Sequence, residues 1–109
     1  MKIAIEGEKS IRIGSMGDLA RVLPAKLDGE VLNFDHGEGH VRVGKTVWGL
    51  YVGDNGKQYL QYEKGQCDWS ELQGITNEIH HRLAQEFGAD LKFQVEGCLA
   101  HSRDDDRYL

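Results

Sequence analysis

The chain has 109 residues, of which 39% are hydrophobic and 28% are charged, and its formal net charge is −5. This length suits one compact domain with a single core and is too short for two. No stretch approaches the roughly 18 apolar residues of a membrane span, and the start lacks the apolar run of a secretory signal, so we expect a cytoplasmic protein.

The acidic excess lies in the C-terminal part of the chain. Through residue 62 there are eight acids and eight bases, whereas from Glu63 onward there are ten acids and five bases. Nucleic-acid binding generally needs a basic stripe that displaces counterions from phosphates. The distribution therefore argues against direct nucleic-acid binding and is compatible with a basic protein partner, although acids also keep small domains soluble.

The N-terminal quarter predicts a hairpin and a short helix. Isoleucines alternate with other residues in 3–5 and again in 11–13, which is typical of two strands joined by a turn. Ser15, with Asp18 three residues later, resembles a capping box at the start of a helix. Pro24 ends that helix after about two turns.

Four further strands are predicted in the middle of the chain. Strand-like runs lie near 30–36, 40–44, 46–53 and 58–63, and glycine-containing turns separate them. Consecutive strands joined by short turns form an antiparallel meander.

The hydrophobic pattern sets the register of this meander, because a slip of one residue moves every side chain to the other face. With residues 36–39 as the first turn, Asp35 lies opposite His40 and Phe34 faces Val41. The second hairpin loop, at residues 54–56, places Leu50 opposite Leu60 and Trp48 opposite Tyr62. The predicted core face consists of Leu32, Phe34, Val41, Val43, Trp48, Leu50, Val52, Leu60 and Tyr62.

Gly39–Thr46, with the sequence GHVRVGKT, satisfies the phosphate-loop pattern G-x-x-x-x-G-K-[ST]. A working loop needs a flexible glycine-rich backbone followed by a helix whose N-terminus supports the phosphate. Here an alternating β sequence precedes Gly44-Lys45, and another strand, VWGLYV, follows. We interpret Gly44-Lys45 as a two-residue hairpin turn and predict no nucleotide or other cofactor.

The same region has the composition of a metal site, with Asp35, His36, Glu38 and His40 within six residues. In the favoured register the two histidines point to opposite faces, so they cannot easily share one tetrahedral ion. We therefore predict no metal site. The alternative is a cross-strand pair of Asp35 with His40 or with Arg42.

A long amphipathic helix is predicted from about residue 69 to residue 87. Asp68 and Glu71 suit a capping box at its start, and Gly88 suits its end. A last strand is predicted within 91–97. The apolar stripe of the helix is Leu72, Ile75, Ile79, Leu83 and Phe87.

The predicted fold is therefore α+β, with an antiparallel, mainly meander sheet of about six to seven strands in the order ββαββββαβ. One long C-terminal helix and one short helix pack on one face of this sheet. Residues 1–100 form a single domain, and 101–109 form a polar tail. Cys67 and Cys98 are expected to be reduced thiols that lie close together, because the last strand returns antiparallel to the long helix.

Candidate catalytic residues are few. His80 and His81 lie on the long helix near Glu78, and a histidine beside a carboxylate can act as a general acid or base. No reactive-cysteine motif, nucleophile elbow or metalloprotease motif accompanies them. We predict that the protein is not an enzyme.

The sheet face opposite the helices is predicted to be open to a partner. Tyrosine and arginine are enriched in protein interfaces, and the register places Tyr51 and Tyr59 there as cross-strand neighbours. The predicted partner-binding residues are Asp35, Arg42, Tyr51, Tyr59 and Gln61. The second choice is the acidic face of the long helix, with Glu71, Glu78 and His81.

Three function classes follow. The first is a small acidic binding protein that occludes a protein partner, such as an immunity protein or inhibitor that neutralises a bacterial toxin or nuclease. The second is an assembly subunit that forms a homodimer through the open sheet face. The third is an enzyme of unrecognised type that uses His80 or His81. All three are compatible with a monomer or homodimer that binds neither a membrane nor nucleic acid directly.

Overall fold

The computed structural model describes residues 1–5 and 11–88 together with the backbone of Lys92–Gln94. Within this part the protein is α+β, with an antiparallel sheet, one long helix and one short helix. The elements in chain order are β1 (Lys2–Ile5), α1 (Met16–Arg21), a 3-10 turn (Ala25–Leu27), β2 (Glu30–Asp35), β3 (Glu38–Val43), β4 (Thr46–Val52), β5 (Gln58–Gly65), α2 (Trp69–Phe87) and β6 (Lys92–Gln94).

The six strands lie in the order β2-β3-β4-β5-β1-β6, and every neighbouring pair is antiparallel. Strands β2 to β5 form the predicted meander. The predicted N-terminal hairpin is wrong, because residues 11–13 form no strand and β1 pairs instead with β5 and β6. The element order is therefore βαββββαβ rather than ββαββββαβ.

A buried glutamine explains why residues 11–13 do not join the sheet. The backbone N–H of Ile13 donates to Oε1 of Gln58 at 2.7 Å, and Nε2 of Gln58 donates to the carbonyl of Ile13 at 2.9 Å. Nε2 also donates to the carbonyl of Gly37 at 2.8 Å. One side chain thus satisfies the Ile13 backbone groups that a neighbouring strand would otherwise satisfy.

The turn between β2 and β3 is shorter than predicted. His36 and Gly37 have φ values of 52° and 80°, the positive pair that a two-residue hairpin turn of the primed type requires. Asp35 consequently lies opposite Glu38, and His40 lies opposite Asn33. The predicted pairing of Asp35 with His40 is wrong, and the shift of two residues leaves each of these side chains on its predicted face.

A second correction concerns Leu32, which is 43% exposed rather than part of the core. The register of β2 shifts between Val31 and Asn33, so Leu32 occupies a β-bulge. The bulge returns Val31 to the core side, opposite Val41, where it packs against the buried cluster. Hydrophobic alternation alone could not reveal this inserted residue.

The register of the central hairpins is confirmed. Val43 pairs with Thr46 across a turn at Gly44-Lys45, so the phosphate-loop match spans a β-hairpin. On the next hairpin, Trp48 lies opposite Tyr62, Leu50 opposite Leu60, and Tyr51 opposite Tyr59.

Both helices contribute to one hydrophobic core on one side of the sheet. Leu19 of α1 and Ile79 of α2 are fully buried in the same cluster as Ile3, Val41 and Leu50 of the strands. The predicted capping box of α2 is present, and the helix ends at a left-handed Gly88. In the part of the chain that the structure describes, neither helix combines the length and apolar character needed to cross a bilayer.

The other side of the sheet is called the outer face below. It carries the side chains that alternate with the buried ones along β2 to β5. The described residues of the outer face are Glu30, Asn33, Asp35, Glu38, His40, Arg42, Val47, Gly49, Tyr51, Tyr59, Gln61, Glu63 and Lys64.

Candidate partner-binding face

Two half-buried tyrosines lie opposite each other in the middle of the outer face, Tyr51 on β4 and Tyr59 on β5. The Tyr51 ring lies against Gly49, inside β4, and the Tyr59 ring lies against Gly53, the residue after β4. A β-carbon added to Gly49 would come within 2.5 Å of Cε2 of Tyr51, and one added to Gly53 would come within 2.8 Å of Cε2 of Tyr59. Both rings therefore occupy space that side chains at these two positions would fill.

The glycine at position 49 is unexpected from strand propensities alone. It lies inside β4, an interior strand of the sheet, where glycine weakens a strand and often marks a close approach. Besides the ring of Tyr51, Oε2 of Glu63 would lie 2.5 Å from a β-carbon at this position. Gly49 thus lets an aromatic ring and a carboxylate converge on the backbone of β4.

A histidine joins these two groups to β2. The rings of His40 and Tyr51 are nearly perpendicular, at 88°, with their centroids 6.0 Å apart. Its Nε2 lies 3.3 Å from Oε1 of Glu63 and 3.4 Å from the Tyr51 hydroxyl, and its Nδ1 lies 3.2 Å from Oδ1 of Asn33. These contacts fix the position of Tyr51 relative to three strands.

Tyr59 is held by a separate set of contacts. Nδ2 of Asn55, in the hairpin loop, donates to the Tyr59 hydroxyl at 3.0 Å. Nζ of Lys2 lies over the Tyr59 ring, 5.1 Å from its centroid, within the range of a cation–π interaction. Both tyrosines are therefore ordered within the protein itself.

Carboxylates lie on both sides of Tyr51 along β4. Glu63 reaches Gly49, which is two residues before Tyr51. Oε2 of Glu38 accepts the backbone N–H of Val52, which is one residue after Tyr51, at 3.0 Å. Asp35 lies directly opposite Glu38 in the β2–β3 pair. Like charges placed directly opposite each other destabilise a sheet.

The remaining predicted face residues, Asp35, Arg42 and Gln61, lie on β2, β3 and β5. Nη2 of Arg42 lies 2.6 Å from Oε1 of Glu30, so the predicted pairing of Asp35 with Arg42 is wrong. Asp35 instead lies 3.1 Å from Nδ1 of His36, in the turn. Gln61 is half-buried opposite Gly49.

The second-choice surface runs along α2. The Glu71 side chain belongs to the capping box, and Glu78 pairs with Lys26 at 2.8 Å. His81 is exposed, but ten residues separate it from Glu71, about 15 Å along a helix. His80 and His81 are adjacent in sequence, so they project in different directions around the helix.

The predicted thiol pair is only partly within the described residues. Cys67 is half-buried just before α2, whereas Cys98 and residues 101–109 lie outside the described residues. Burial raises the pKa of the Cys67 thiol, Glu71 and Asp68 raise it further, and Lys45 opposes them. A raised pKa disfavours the thiolate that reacts with electrophiles and metals.

Sequence reasoning placed the two tyrosines opposite each other but missed the polar groups that position them. His40 and Glu63 lie on the outer face, but the predicted partner-binding residues do not include them. The available signal was Gly49, a residue without a side chain in the middle of the strand VWGLYV. Among residues 1–5 and 11–88, no three histidine, cysteine, aspartate or glutamate side chains group as a metal site.

No protein-family model, curated protein or solved structure matches this chain.

Proposed function

We propose that this protein is a non-catalytic binding protein that captures a protein partner on its outer face, as an immunity protein or inhibitor of a bacterial toxin or nuclease does. The observation that carries the proposal is the tyrosine pair, Tyr51 with Tyr59, on a sheet face opposite both helices. Tyrosine is enriched in interfaces because it offers a large amphipathic contact area with few rotatable bonds.

The fixed positions of the two tyrosine side chains support a binding role. His40 and Gly49 position Tyr51, while Asn55 and Lys2 position Tyr59. Side chains that are already fixed lose little conformational entropy when a partner binds, so more of the contact energy appears as affinity. The tyrosine pair is therefore the centre of the proposed interface.

The charge of the chain supports a basic partner. The net charge is −5, and the outer face carries Glu38 and Glu63 beside Tyr51 and Asp35 opposite Glu38. Opposite charges accelerate association and increase its dependence on salt. Basic toxins and nucleases, which themselves bind nucleic acid, are the partner class that this charge favours.

Affinity capture with matched variants tests the proposal. Immobilised wild-type protein, a Tyr51→Ala/Tyr59→Ala variant and a Glu86→Gln control on α2 are exposed to extract of the source cells and to products of the genes adjacent to its own. We expect a basic protein to bind the wild type and the control but not the tyrosine variant. The bound protein should lose its toxic or nuclease activity in the complex.

Three results would contradict the proposal. A partner that binds the tyrosine variant as tightly as the wild type places the interface elsewhere, with the α2 surface of Glu71, Glu78 and His81 as the next candidate. Retention of full partner activity in the complex excludes an inhibitor. If the purified wild type has twice the monomer mass and the tyrosine variant has the monomer mass, the outer face is a homodimer interface instead.

A further inference from the structure

Two glutamates flank the ring of Tyr51. The carboxylate of Glu63 and the ring meet over Gly49, and the carboxylate of Glu38 accepts the N–H of Val52, the residue after Tyr51. An aromatic ring attracts a cation through its quadrupole, and nearby carboxylates add charge-assisted hydrogen bonds. The surroundings of Tyr51 therefore have the chemistry that recognises a positively charged side chain.

The protein already places a cation on the neighbouring tyrosine. The Lys2 ammonium lies over Tyr59 at 5.1 Å, and Tyr59 lies directly opposite Tyr51. The face that holds the tyrosines thus accommodates a cation–π contact without any partner. The described ring contact of Tyr51 is the perpendicular ring of His40.

The opposed carboxylates of Asp35 and Glu38 indicate the same ligand chemistry. Their alignment costs stability, and departures from local structural rules tend to occur at functional sites. A cation bound near Glu38 would offset this repulsion.

We propose that the outer face binds an arginine side chain of the partner, with the guanidinium over Tyr51 and hydrogen-bonded to Glu38 and Glu63. The inference rests on the proposed function, because it names the group that the partner presents. Arginine fits better than lysine, since its planar guanidinium stacks on aromatic rings and carries five donors that can serve two carboxylates.

Nucleic acid is the other class of ligand that stacks on exposed aromatic residues. The carboxylates that flank Tyr51 disfavour a phosphate backbone, which basic residues normally neutralise. A guanidinium satisfies both the ring and the carboxylates, so charge complementarity selects the arginine.

An NMR titration of the isotope-labelled full-length protein tests this inference. The probes are acetyl-Gly-Arg-Gly-amide, the same peptide with citrulline in place of arginine, and an oligonucleotide of eight thymidines. Citrulline keeps the planar end of arginine but is uncharged. We expect saturable shifts of the Gly49, Tyr51 and Gln61 amide signals with the arginine peptide alone, with half-saturation on the order of 10 mM.

Variants identify the groups that bind the arginine peptide. Glu38→Gln/Glu63→Gln keeps an oxygen acceptor at each position but removes the charges, and it should weaken binding at least about fivefold. Tyr51→Ala should abolish the saturable shifts, whereas Glu86→Gln on α2 should leave them unchanged. Equal shifts with citrulline, shifts with the oligonucleotide, indifference to the charge variant or no saturable shifts would each overturn the arginine site.

The two proposals fail in different ways. If a captured partner needs Tyr51 while the arginine peptide does not bind at the outer face, only the arginine site is wrong. If the arginine peptide binds there and a captured partner is indifferent to Tyr51→Ala, the proposed function of the face is wrong.

Discussion

The ring of Tyr51 lies against the backbone of Gly49, closer than any side chain at position 49 would allow. Glu63 shares this space, and His40 joins both groups. A glycine in an interior strand is therefore part of the architecture of the outer face, because it permits the position of Tyr51.

Gly49→Ala should weaken partner binding while changing stability by less than about 1 kcal/mol. The added methyl group displaces Tyr51 and Glu63 on the outer face without entering the core. Calorimetric titration of the partner and urea unfolding measure the two effects. The matched control is Gly74→Ala on α2, where a β-carbon meets nothing within 4 Å, which should stabilise the helix by about 0.5–1 kcal/mol and leave binding unchanged. Equal affinities of the two variants would exclude the role assigned to Gly49.

Gln58→Ala should lower the free energy of unfolding by about 3 kcal/mol, because it leaves buried backbone groups of Ile13 and Gly37 without their hydrogen-bond partners. Urea denaturation followed by tryptophan fluorescence provides the measurement. Gln61→Ala, on the outer face, should change stability by no more than about 0.5 kcal/mol. A loss below about 1 kcal/mol for Gln58→Ala would mean that water or a rearranged segment replaces these bonds.

Thr46→Val should destabilise the protein by about 1–3 kcal/mol. The buried Thr46 hydroxyl accepts the indole N–H of Trp48 at 2.8 Å and donates to the carbonyl of Val43 at 2.6 Å. Valine keeps the shape but leaves the indole N–H unsatisfied. Thr46→Ser retains the hydroxyl and should therefore lose less stability in the same unfolding experiment. The opposite order of the two variants would show that packing of the methyl group matters more than the hydrogen bonds.

Cys67 should react slowly with iodoacetamide at neutral pH, because its raised pKa keeps the thiol protonated. The rate should increase with pH through a midpoint above that of the urea-unfolded chain, with Cys98→Ser used so that only Cys67 reports. A raised pKa means that the folded state holds this proton more tightly, so the stabilisation is present below the ordinary thiol pKa and is lost as pH rises past the raised value. A midpoint equal to or below that of the unfolded chain would contradict the assigned environment.

Patterns of hydrophobic and capping residues predicted much of the fold. The long helix from its cap at Asp68 to Gly88 and the pairing of Tyr51 with Tyr59 follow from local chemistry, and the structure confirms both. Leu32 was misplaced because a bulge adds one residue to β2 without altering the hydrophobic composition that a register argument uses.

Whether residues 11–13 form a strand depends on a contact with a residue that is distant in sequence. An isoleucine alternation is compatible with a strand, but the backbone of Ile13 is taken by Gln58, 45 residues later. The contacts of His40 with Asn33 and Glu63 likewise join three strands. Such side-chain networks depend on the exact relative position of strands, which periodicity does not specify.

The most direct test of the outer face as a partner-binding surface is the affinity of the captured partner for the Tyr51→Ala/Tyr59→Ala variant, measured by calorimetric titration beside the wild type. Aromatic anchors at the centre of an interface commonly contribute 2 kcal/mol or more, so the dissociation constant should rise by at least about thirtyfold. Urea unfolding of the same variant should confirm that it remains folded. An affinity within about twofold of the wild type, in a folded variant, would contradict the central claim.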